Sequence, residues 1–115
     1  MYYEWLGTIM KIENWNIQEM TGYEPKTTFY QDFSIADKFG AEAVKETFDR
    51  AFKEWKSDYE YLTELVMVLN WKCWRWDEEN QPLSRLYAML FHQAYDYALD
   101  NLKGKELTYF IRTTD

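Results

Sequence analysis

The sequence predicts a mainly α-helical, single-domain bundle of about four helices, and three observations carry that prediction. Apolar residues recur at steps of three and four through four separate stretches. Glycine (4) and proline (2) are scarce, and no stretch is low-complexity, which makes disorder improbable. Hydrophobic residues make up 47% of the chain and aromatics 20%, with six Trp, ten Tyr and seven Phe, which is more than enough for one core. A chain of 115 residues fits one domain able to bury roughly two-thirds of its unfolded surface.

Residues 1–26 read as an N-terminal extension and linker, and residues 27–115 as the helical domain. Tyr23-Glu24-Pro25-Lys26 closes the linker in an extended form, because the residue before proline avoids helical geometry. The first helix begins at Thr27-Thr28, where Thr28 with Gln31 makes a capping-box pattern, and stops at Gly40, placed for a left-handed cap. Phe29, Phe33 and Ala36 form its inner stripe, with Ile35 and Phe39 alongside.

The second helix runs from about Ala41 to Lys56. Val44, Phe48, Ala51, Phe52 and Trp55 line one side, while Lys45, Glu46, Asp49, Arg50 and Lys53 cover the other. Lys45-Asp49, Glu46-Arg50 and Asp49-Lys53 are opposite charges four apart, each contributing about 0.3 kcal/mol as surface support. The third helix starts near Ser57-Asp58, with Ser57 and Glu60 as its capping box, and continues to about Trp76. Leu62, Leu65, Val66, Leu69, Cys73 and Trp76 fall on one broad side of it, and Met67, Trp71 and Trp74 gather on another. A helix apolar on two sides is either central in the fold or binds something.

Asp77-Glu78-Glu79-Asn80-Gln81 is a polar break. Pro82 suits the first turn of a fourth helix, where its missing N–H costs nothing, and that helix reaches Lys103 before Gly104. Its stripe is Leu83, Leu86, Tyr87, Leu90, Ala94, Tyr97 and Ala98, and it should pack along the third helix. The two ends are left open. Gly7 to Ile12 and Leu107 to Arg112 carry the β-branched and aromatic residues of short strands that would pair as a small two-stranded sheet, yet short helices fit them as well.

Composition also narrows function. A formal charge of −7 repels phosphate and attracts basic surfaces, which argues against direct nucleic-acid or anionic-membrane binding. With Cys73 as the only cysteine no intramolecular disulfide forms, and a cytoplasmic setting is the simplest expectation. The first fifteen residues lack a basic stretch followed by an apolar run, and no run of about 18 apolar residues occurs anywhere.

The search for chemistry returns mainly negatives. GxGxxG, GxxxxGK[ST], GxSxG and HExxH are all absent. One Cys and one His leave no structural zinc set, so neither a metal nor a cofactor is expected. His92, Asp96 and Asp100 share one helical face at steps of four and have the chemistry of a metal site or proton relay. His92 lies about 160° from the centre of the apolar stripe, however, which makes a solvated face the better reading of the trio. Cys73 has the chemistry of a nucleophile but falls on the core stripe without a basic neighbour, and reads as a small buried hydrophobe. Glu60 and Glu64 could be paired acids; favourable charge near a helix N-terminus accounts for them more simply.

The aromatic surplus points elsewhere. Met67, Trp71 and Trp74 are residue types that concentrate binding energy at interfaces, and the acidic run Asp77, Glu78 and Glu79 follows them directly as something a basic partner could read. Burial of both sides of the third helix between two layers is the competing account of the same three side chains, and a solvated connection that of the acids. These six residues form the candidate partner-binding set.

The segments TGYEPKTTFYQDFSIADKFG (Thr21 to Gly40), YLTELVMVLNWK (Tyr61 to Lys72) and DNLKGKELTYFIRTTD (Asp100 to Asp115) resemble a family of small proteins encoded on bacterial phages, plasmids and integrative elements. The likeness covers roughly Met20 to Asp115, and its motifs are structural rather than catalytic. It implies a non-enzymatic protein of a mobile element in the bacterial cytoplasm that covers a host protein, as inhibitors of CRISPR nucleases do. In that reading an anionic domain occupies a basic channel while aromatic anchors supply contact area. The alternative is a structural or assembly factor acting through homo-oligomerisation.

Overall fold

The computed structural model describes residues 29–75 and 81–115. Among these there are five helices and no strand: α1 (Phe29–Phe39), α2 (Ala41–Trp55), α3 (Tyr59–Arg75), α4 (Gln81–Asn101) and α5 (Gly104–Thr114). The mainly helical architecture follows the spacing of the apolar residues. The count is one more than expected, because Leu107 to Arg112 lies inside α5 and so takes the helical alternative. The other end of the expected sheet, Gly7 to Ile12, lies outside the described residues, as do the whole extension 1–26 and the Thr27-Thr28 cap.

The α1–α2 boundary turns on Gly40. Its φ of 91° is the positive value a glycine permits, but its ψ of −170° is extended rather than left-handed helical. This combination is accessible essentially to glycine alone. It lets the Gly40 N–H close α1 on the Ala36 carbonyl at 3.1 Å while the Gly40 carbonyl accepts the Val44 N–H at 3.2 Å, so one residue ends one helix and starts the next.

In α2 the buried residues are Val44, Phe48 and Ala51, with Phe52 partly buried beside them, as its single stripe requires. Phe48 stacks on Phe52 at 5.2 Å, and Phe52 meets Tyr97 of α4 edge-on at 5.3 Å. The charges on its outer side do not pair along the helix. Arg50 reaches Asp32 of α1 instead, at 3.7 Å and well exposed, a contact that contributes little. In α1, Phe33 and Ala36 are buried, whereas Ile35 and Phe39 point outward. The side chain of Phe29 lies outside the described residues.

The start of α3 is set by Asp58 rather than Ser57: its Oδ1 accepts the N–H groups of Glu60 at 3.0 Å and Tyr61 at 3.3 Å. Carboxylate capping of two otherwise unpaired donors is worth about 1 kcal/mol. α3 is the centre of the molecule, packing most extensively on α4 and also touching α5, α1 and α2. At its far end the Ser84 hydroxyl of α4 donates to the Cys73 carbonyl at 2.8 Å and ties the two helices together across the connection.

α4 starts with Gln81-Pro82, as proline in the first turn allows, and ends at Asn101, two residues before the expected Lys103. The Leu102 N–H closes the last turn on Ala98 at 2.8 Å, and Lys103 is extended. Gly104, with φ 60°, then opens α5 instead of capping α4. α5 is held by aromatic packing: Phe110 is fully buried against Tyr95 at 5.4 Å, and Tyr109 meets Tyr59 edge-on at the same separation. Burial of one Phe side chain, worth about 2 kcal/mol, outweighs the weak strand preference of Thr108 to Ile111. Among the described residues no helix is long and apolar enough to cross a membrane.

Candidate functional site

The candidate surface is built around the C-terminal half of α3. Because α3 has neighbours on several sides, burial runs nearly all the way round it: Leu62, Thr63, Glu64, Leu65, Val66, Val68, Leu69, Trp71 and Lys72 are all buried. Trp71, at 4% exposure, therefore belongs to the core, and Met67 is partly buried against it. Trp74 is different, with 37% of its surface exposed. Of the three aromatic and thioether groups read from the sequence, only the last reaches well into solvent. Trp76 and the acidic run Asp77, Glu78 and Glu79 lie outside the described residues.

A buried polar cluster that the sequence reading did not single out holds this end of α3 against α1. The Lys72 ammonium, on a side chain 1% exposed, donates to Asp37 Oδ2 at 2.6 Å and lies 3.5 Å from the Ser34 hydroxyl. It also sits 4.9 Å from the centre of the Trp71 ring. The Tyr87 hydroxyl of α4 donates to the other carboxylate oxygen of Asp37, so this one carboxylate joins three helices. Charge pairing with hydrogen bonds to both oxygens is what makes such a burial tolerable. A signal was present in the sequence. Lys72 occupies a stripe position, seven after Leu65 and three after Leu69, and Asp37 stands four after Phe33.

The cluster also fixes which apolar groups remain outside. Ile35 and Phe39 flank Asp37 on α1, and Trp74 lies two residues beyond Lys72. Ile35 and Phe39, four apart on the outer face of α1, and Trp74 near the end of α3 are thus exposed, with Phe39 73% exposed; Trp55, Met89, Leu99 and Ile111 are exposed elsewhere. The arrangement offers contact area to a partner and contains no convergent set of nucleophile, base and oxyanion donors among the described residues.

The other sequence candidates are dispersed. His92, Asp96 and Asp100 are all exposed along α4, and no group of three His, Cys, Asp or Glu residues able to hold a metal ion occurs among the described residues. Cys73 is half-buried, its thiol 3.1 Å from the Asn70 carbonyl. Glu60 is half-buried at the first turn of α3, and Glu64, one turn further, is fully buried.

Comparison of the chain with protein-family models, with curated proteins and with solved structures returns no match.

Proposed function

We propose that this chain is a non-enzymatic, acidic protein-binding module of a mobile genetic element that inhibits a host nucleic-acid-handling or defence protein by surface contact. The observation that carries the reading is the exposure of large apolar side chains, Phe39 and Ile35 on α1 and Trp74 near the end of α3, on an anionic chain in which the acidic run Asp77 to Glu79 follows Trp74 in sequence. Large apolar anchors on a chain of negative charge suit a basic protein surface, with the charge accelerating encounter and the anchors holding the complex. The resemblance to mobile-element proteins makes a CRISPR nuclease one partner of this kind.

The test is co-purification of the tagged chain with the nucleases of its host, CRISPR effectors included, over a salt series. A one-to-one complex that weakens with salt and is lost in Trp74→Ala supports the reading; no complex with any of them at low salt refutes it. A second reading, a structural factor that self-associates, draws on the same exposed Phe39 and Ile35. Light scattering that finds a monomer at high concentration removes it.

A further inference from the structure

We draw no further inference here: the strongest candidate, the open groove between the end of α2 and the start of α3 lined by Glu54, Trp55, Asp58 and Glu60, carries none, because it is an acidic cluster on an open surface whose Asp58 carboxylate already caps α3 and nothing in the structure points to a ligand there.

Discussion

α2 and α3 are similar in length and equally regular, yet they relate to their own sequences in opposite ways. In α2 one apolar stripe faces the core and the polar residues stand in solvent, so burial repeats the pattern of the sequence as far as Phe52, with only the terminal Trp55 exposed. In α3 burial runs round most of the helix and takes in Thr63, Glu64 and Lys72, polar residues whose type, taken alone, assigns them to the surface. Periodicity reports which side of a helix is apolar, and that equals which side is buried only when the helix has neighbours on one side. For a central helix the polar residues must find partners from other elements, and those partners are what the pattern does not display.

The largest expected effect breaks this difference at its strongest point. Lys72→Ala leaves the Asp37 carboxylate buried without its cation and should cost about 3–5 kcal/mol in urea unfolding. Removing both charges together, as Lys72→Met with Asp37→Asn, keeps an acceptor for the Tyr87 hydroxyl and should recover most of that loss. If the double variant is no more stable than Lys72→Ala, the ion pair is not the reason. At Gly40 an added Cβ meets no atom within 4 Å, so any loss in Gly40→Ala is conformational. About 1–3 kcal/mol is expected, and an unchanged unfolding midpoint would show that the boundary relaxes to ordinary angles. Asp58→Ala should remove about 1 kcal/mol through the lost cap of α3, whereas Ser57→Ala should be neutral by the same measurement, since Asp58 and not Ser57 caps the helix.

Much of the fold was legible for the reason α2 illustrates. Four helices follow from stripes, from Pro82 and from Gly40, because each of those signals is local. The misplaced features are those decided by tertiary contact. α5 carries Thr108 to Ile111, residues at home in a strand, and it is Phe110 meeting Tyr95 that makes the segment a helix. Gly104 looked like the cap of α4 because a glycine marks a boundary without saying on which side of it the chain resumes. At the candidate surface the sequence gathered Met67, Trp71 and Trp74 on one side, but could not separate them. Trp71 is taken into the core, Met67 is partly buried against it and Trp74 is well exposed, a division that depends on the neighbours of α3 and not on its own pattern. Lys72 and Asp37 went unnoticed because their partnership spans 35 residues of chain, although each stands at a stripe position that should have drawn suspicion.

The claim that α3 is buried round most of its circumference, with Trp71 in the core and Trp74 well into solvent, is tested most directly by melting Trp71→Ala and Trp74→Ala side by side. Trp71→Ala should lose about 3–5 kcal/mol, a fall of more than about 10 °C, while Trp74→Ala should stay within a few degrees of the parent. Equal melting temperatures for the two variants, or a larger fall for Trp74→Ala, would contradict the account.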